Sequence, residues 1–353
     1  MGSTTGPGAP SRSERMTPSA RPAPEAFRRG LSAVVANLGL ILAPLAFAAV
    51  VVAAIAAPVF ALFLGFAGFH RGRGGMPAFS RDPATLLEPL KSFFEGLLAS
   101  PFVILAGLFG LTVLLLLLTA FAAWVRAGVT GALLAIDARA VEDAPLSAFH
   151  HPELGSVFWE SARRLFGRFF ALVNLYALAV SSLVLLILLP IGLVVLAATG
   201  ERGGLVMAAT VLFVLFLPLV IGGSVALRVL YLVSCRLAAS DDVDALEAVA
   251  RAVSLIRTSL SRVVLLYLLT LAAGFVSGFA FLVPRFALSF FARRSLVLVF
   301  AGTGLLIAAQ MLVSFAYDLV VTGSFVSLWP VASGGSVPPV ASAPDGDAPP
   351  TLV

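Results

Sequence analysis

Lysine is all but missing: Lys91 is the single one in 353 residues, and arginine carries the rest of the side-chain positive charge. Cysteine is as scarce, with Cys235 alone, so no disulfide can form within the chain. Charged residues make up 12% of the sequence, about half the ~25% of an ordinary soluble domain. That shortage excludes a soluble globular body for most of the chain. The balance of charge is basic, +5 overall, yet it does not point to nucleic acid. The arginines lie at the ends of apolar runs, where the positive-inside rule and anionic headgroups account for them. The near-exclusive use of arginine points to a bacterial genome rich in G and C.

Catalytic motifs are missing as well. There is no phosphate loop, no spaced pair of zinc ligands and no Gly-x-Ser-x-Gly. The groups that chemistry would need are His150, His151, Glu153 and the acids Asp241, Asp242 and Asp244. Histidine ligands on one helix face stand i,i+4 apart, and Pro152 breaks any helix at His150-His151, so this reads as a solvated loop. The acids read as N-cap and first-turn residues at the positive end of a helix, with Asp244 and Glu247 in the spacing of a capping box. The expectation is no enzyme, no bound metal and no cofactor.

What is present is apolar sequence, 60% of the chain, organised by a unit that appears three times. Each copy opens on Glu-x-x-[Arg/Ala]-Arg: Glu25 to Arg29, Glu160 to Arg164, and Glu247 to Arg251. Glutamate four residues before arginine is the favourable order for a helical surface pair. Each opening leads into a long apolar run, a connector and a second long apolar run. The third is the clearest amphipathic start, with Glu247, Arg251, Ser254, Thr258 and Ser261 on one stripe. A span needs about 20 apolar residues. The runs predict an all-α polytopic membrane protein with six transmembrane helices, as three repeats over about 25–136, 160–239 and 247–330. The spans fall at about 31–69, 101–136, 169–199, 205–239, 263–283 (closed by Pro284) and 296–328, the last ending on Trp329 at an interface. Residues 83–99 put Leu86, Leu90, Phe93 and Leu97 on one face, which predicts a helix on the membrane surface.

The two ends read as disordered tails, 1–24 and 331–353, rich in Gly, Pro, Ser and Ala. The first has no short apolar core before a cleavage site, so it is not read as a signal peptide. Cys235 reads as a packed small residue in preference to a lipidation site.

Aligning the second helices of the units on Thr130-Gly131 and Thr322-Gly323 puts Arg126 opposite Asp318, with Arg228 in the corresponding place of the fourth span. These three form a candidate polar level, near the inner headgroups by helix length. Two readings stay open: separate interfacial anchors, or an ionic cluster facing the bundle. With the Glu-Arg openings inside, the inner side carries the larger share of the arginines. This favours a cell inner membrane with both termini cytoplasmic.

Three units, each an Arg-bearing start followed by two spans, resemble a broad, poorly characterised group of bacterial six-span membrane proteins. It includes the membrane domain fused to some glycerophosphodiester phosphodiesterases. The resemblance covers about residues 25–330 and rests on the layout and on segments such as Ala245 to Val253 ahead of a span. The soluble barrel of that fusion is absent, so the resemblance implies a membrane-embedded, non-catalytic role. A scaffold or partner subunit is the expected function, with the lipid bilayer and a membrane protein as partners and no nucleic acid. The alternative is a transporter or channel for a small solute or lipid, to which Asn37, Asn174, Gln310, Pro190 and Pro218 inside the spans give partial support.

Reporter fusions test the topology. Fusions after Ser80 and after Ser333 are expected on opposite sides of the membrane, because an odd number of spans precedes the first and an even number the second. The same side for both contradicts six spans.

Overall fold

Apolar runs this long make helices that outlast a bilayer. The computed structural model describes residues 19–54, 56, 95, 101–140, 144–198, 203–291 and 296–330. The expected surface helix at 83–99, apart from Glu95, and residues 1–18 and 331–353 of the expected tails lie outside them. The described helices are α1 (Ala23–Ala36), α2 (Leu38–Ala54), α3 (Pro101–Arg139) and α4 (Leu154–Ala198). They continue with α5 (Gly203–Ser240), α6 (Ala245–Thr258), α7 (Leu260–Phe291) and α8 (Leu296–Ser327). No strand occurs among the described residues. Five helices are long and apolar enough to cross a membrane, and a sixth crossing is made if α1 and α2, bent by 87° at Asn37, count as one. The chain is an all-α, multi-pass membrane protein.

Burial divides each long helix in two. The 39 residues of α3 and 45 of α4 extend about 58 and 68 Å, against about 30 Å of hydrocarbon. Toward one end, large apolar side chains stand open: Phe109 is 73% exposed, Val214 63% and Val276 72%. Toward the other, Leu133, Leu165, Val233, Leu266 and Phe325 are all at 1% or less. The buried end is joined by α1, α6 and the connector at Leu146–Phe149, making a packed layer under a membrane layer with many exposed apolar side chains. Aqueous surroundings explain the difference. Apolar side chains that leave the bilayer must bury against each other, whereas those inside it are already in an apolar solvent.

Polar groups close the packed layer. The carbonyls that end a helix have no partner within it. At the end of α8, Arg236 Nε donates to Val326 O (3.1 Å) and its Nη2 to Trp329 O. Arg21 Nη1 donates to Ser327 O (2.9 Å) and the Arg21 backbone N–H to Leu328 O (2.7 Å). Four consecutive carbonyls are thus satisfied by two arginines. At the end of α3, Arg29 Nη2 donates to Asp137 O (3.1 Å) and Ala140 O (2.8 Å). Asp137 binds the two ends together, accepting from Arg29 Nε (2.8 Å), Arg21 Nη1 (3.1 Å to Oδ2) and Ser327 Oγ (2.9 Å). Positive charge at a helix C-terminus is also favoured by the macrodipole.

Small residues let α1 and α8 touch. A Cβ built on Gly30 would lie 2.4 Å from the Ser324 backbone nitrogen, and one on Gly323 would lie 3.2 Å from Gly30 Cα. Gly128 and Gly131 of α3 play the same part against Phe158 and Ser161 of α4.

Several expectations change. Residues 19–24 belong to the packed layer and not to a tail: Ala20 and Ala23 are buried and Arg21 is bound as above. Trp329 is 1% exposed, so it lies under the Arg236 guanidinium (5.7 Å) and not at an interface. Pro284 does not close the fifth span. Helix α7 runs through it to Phe291, and Arg285 donates to Gln310 of α8. Asp244 sits at the N-cap of α6 but makes no side-chain cap bond; Asp242 instead pairs with Arg168 and Asp241 with Arg251 (3.6 Å). Of the expected Glu-Arg pairs, Glu247–Arg251 closes at 2.5 Å. Arg29 turns inward to Asp137, Glu25 lies 3.9 Å from Arg21, and Glu160 and Arg164 are both exposed.

The glycine contact has a measurable consequence. Gly30→Ala is expected to lower stability by about 1–3 kcal/mol or more, the cost of overpacking, read as a lower unfolding midpoint in detergent. Gly107→Ala, where a Cβ meets nothing within 4 Å, is expected to be neutral or slightly stabilising, because alanine favours helix over glycine. Equal midpoints for both variants would mean that α1 and α8 do not pack this closely.

Candidate functional site

The structure brings Arg126, Arg228 and Asp318 together. Asp318 on α8 takes Arg126 of α3 on one carboxylate oxygen (Nη2 to Oδ2, 2.7 Å) and Arg228 of α5 on the other (Nη2 to Oδ1, 3.0 Å). Thr322, one turn on, donates its hydroxyl to Asp318 O (2.8 Å), and Arg126 Nη1 reaches that hydroxyl at 3.4 Å. Two guanidinium groups and one carboxylate leave a net single positive charge. The triad is not sealed: side-chain exposure is 32% for Arg126, 42% for Arg228 and 27% for Asp318.

Depth follows from helix length. The triad lies about 33–38 Å along α3, α5 and α8 from their outer ends, at 1.5 Å per residue. That is the hydrocarbon thickness and a little more. It also lies about 12–17 Å before Asp137, Arg236 and Ser327 in the packed layer. Aromatics gather at the same level. Trp124 precedes Arg126 by two residues. Tyr176 stacks on Tyr231 with centroids 4.7 Å apart. The Tyr317 hydroxyl donates to Thr270 O at 3.0 Å. Tyrosine and tryptophan favour the level where hydrocarbon meets headgroups. Of the two readings left open by the sequence, the structure shows the pairing, since Asp318 holds both arginines.

Several other polar groups named from the sequence have structural partners, whereas the buried His151 Nδ1 has no hydrogen-bond partner among the described residues. Asn37 pins the bend between α1 and α2: its Nδ2 donates to Ala33 O (2.9 Å) and Phe149 O (2.7 Å), and its Oδ1 accepts from the His151 backbone N–H (3.0 Å). His150 Nδ1 lies 3.2 Å from Ala36 O. Burial, then the charge of Arg139, holds the His151 imidazole below its usual pKa and so neutral at pH 7. The hydrogen bond from Arg168 holds Asp242 below the usual carboxylate range. Asn174 Nδ2 donates back to Phe170 O (2.7 Å). Pro190 and Pro218 lie inside unbroken α4 and α5. Cys235 is buried. Among the described residues no group of three or more His, Cys, Asp or Glu is placed to hold a metal ion.

The second charged centre, Arg21, Arg29 and Asp137 with Arg236, was not read from the sequence. Arg21 looks like part of a polar tail and Asp137 like the first residue of a loop. The available signal was that Asp137 directly follows the second apolar run, where a helix end needs compensation.

A double-mutant cycle tests the triad. Asp318→Asn leaves two arginines without their counter-charge and is expected to cost about 1–2 kcal/mol of stability in detergent, a buried-pair loss reduced by partial exposure. Arg228→Gln is expected to add little in that background. Additive losses would show that the two residues do not interact.

No family model matches this chain, and comparison with curated proteins and with solved structures found no match.

Proposed function

We propose that the chain is a non-catalytic scaffold or partner subunit of a bacterial inner membrane, with both termini cytoplasmic and three related units in sequence. The observation that carries this reading is the division of the helices. Their packed ends hold one another in place, while their membrane halves present apolar side chains to lipid and to neighbours. Phe109, Val214 and Val276 are more than half exposed on three different helices, α3, α5 and α7. A rigid base under open membrane helices suits a protein that docks against another membrane protein. The reading is also supported by the polar inventory. His150, Asp241 and Asp242 are engaged in helix-end and ion-pair contacts, and the buried arginines are engaged with carbonyls.

The second reading, a transporter or channel for a small solute or lipid, draws on one observation: the Arg228 side chain of the triad is 42% exposed, at the mouth of the membrane layer.

Site-specific photo-crosslinking in native membranes separates them. Crosslinkers at Phe109, Val214 and Val276 are expected to join one protein species at some positions and lipid alone at the others. Lipid adducts alone at all three positions would overturn the scaffold reading. Solute or lipid flux into proteoliposomes that is lost in Asp318→Asn would favour the second reading.

A further inference from the structure

One groove in the membrane layer ends at Tyr317, the residue before Asp318 of the charged triad. It lies between α7 and α8, encloses about 380 Å³ and is lined by Leu271, Gly274, Phe275, Gly278 and Leu282, with Tyr317 at its inner end. Gly274 sits against the Tyr317 ring, whose atoms would stand 3.0 Å from a Cβ there, whereas a Cβ at Gly278 meets nothing within 4 Å. From Leu271 to Leu282 the groove runs about 16 Å along α7. That is half of the ~30 Å hydrocarbon thickness, the depth of one leaflet. Beyond its outer end Arg285 pairs with Gln310.

The inner end is charged. Asp318 follows Tyr317 in sequence and holds Arg228. Among the described residues Arg228 has no partner besides Asp318, and it uses Nη2 alone for that contact. Its remaining N–H donors are open at headgroup depth, on a side chain 42% exposed. Arg236 makes the contrast, being buried with both arms on carbonyls. A guanidinium with spare donors, in a cluster of net positive charge, is a phosphate-binding arrangement.

We propose that the α7–α8 groove and Arg228 together bind one anionic phospholipid of the leaflet facing the packed layer, an acyl chain lying between Leu271 and Leu282 and the phosphate on Arg228. Charge complementarity selects the headgroup: Asp318 cancels only one of the two arginines. The groove's length selects a chain of one leaflet. The site stands independently of the scaffold reading, since a scaffold needs no bound lipid.

The full chain, purified in a non-ionic detergent, tests this by native mass spectrometry with dioleoyl phosphatidylglycerol or dioleoyl phosphatidylcholine as probe. The wild type is expected to retain one phosphatidylglycerol with about fivefold preference over phosphatidylcholine, the contribution of one cationic residue near the membrane surface. Arg228→Gln is expected to abolish that preference and Arg228→Lys to keep part of it. Gly278→Leu, which fills the groove without a clash, is expected to lower retention of both lipids. Unfolding midpoints confirm that each variant is folded, and Gly278→Leu keeps the test alive if Arg228→Gln is not. Equal retention of both lipids by the wild type, or unchanged phosphatidylglycerol in both Arg228→Gln and Gly278→Leu, would overturn the site. So would stabilisation by inorganic phosphate equal to that by the lipid, which would make Arg228 a free-anion site. A loss of dimer in Gly278→Leu with lipid retention unchanged would assign the groove to a second copy of the chain.

Discussion

The packed layer depends on buried helix ends that have found donors. A helix that stops inside protein leaves carbonyls with neither a helical partner nor water, and each such group costs about 1–3 kcal/mol if nothing replaces them. Arginine suits the task because one planar group offers several N–H donors in fixed directions. Arg236 and Arg21 cover the four carbonyls from Val326 to Trp329, and Arg29 covers those of Asp137 and Ala140. Asp137 then offsets the charge that this concentration of guanidinium brings. Because Arg21 and Arg29 come from the first described residues and Ser327 from the last helix, the same contacts close the chain on itself.

The triad Arg126, Arg228 and Asp318 does different work. It stands where the packed layer meets the membrane layer, and its members are partly open. Above it, many apolar side chains are exposed. Bilayer hydrocarbon removes the drive that would press apolar side chains together, so ionic contacts at this level fix where α3, α5 and α8 enter the membrane. The aromatic side chains beside the triad set the same level by their preference for the interface.

The three amphipathic openings show how one pattern is used in three ways. In the first, Asn37 captures carbonyls from Ala33 and Phe149 and turns the chain by 87°. In the second, nothing interrupts the helix, and α4 runs its full 45 residues from opening to span. In the third, the chain breaks at Ser259 between α6 and α7. The Glu-Arg spacing is the same in all three, so it does not by itself decide whether the helix bends, continues or breaks.

Length and apolarity of the runs determine by themselves that this is an all-α membrane protein, since a backbone in hydrocarbon must satisfy its own hydrogen bonds. The alignment of Thr130-Gly131 with Thr322-Gly323 was enough to place Arg126, Arg228 and Asp318 at one level, because helical rise converts sequence distance into depth. Pairing was a matter for tertiary structure: it depends on which helices stand side by side and on how each is rotated. The same holds for Trp329, whose burial under Arg236 no local pattern announces, and for Pro284, which the membrane helix passes through. The fate of Arg21 was hidden for a plainer reason. Its partners, Asp137 and the end of α8, lie 116 and 306 residues away, and only folding brings them to it.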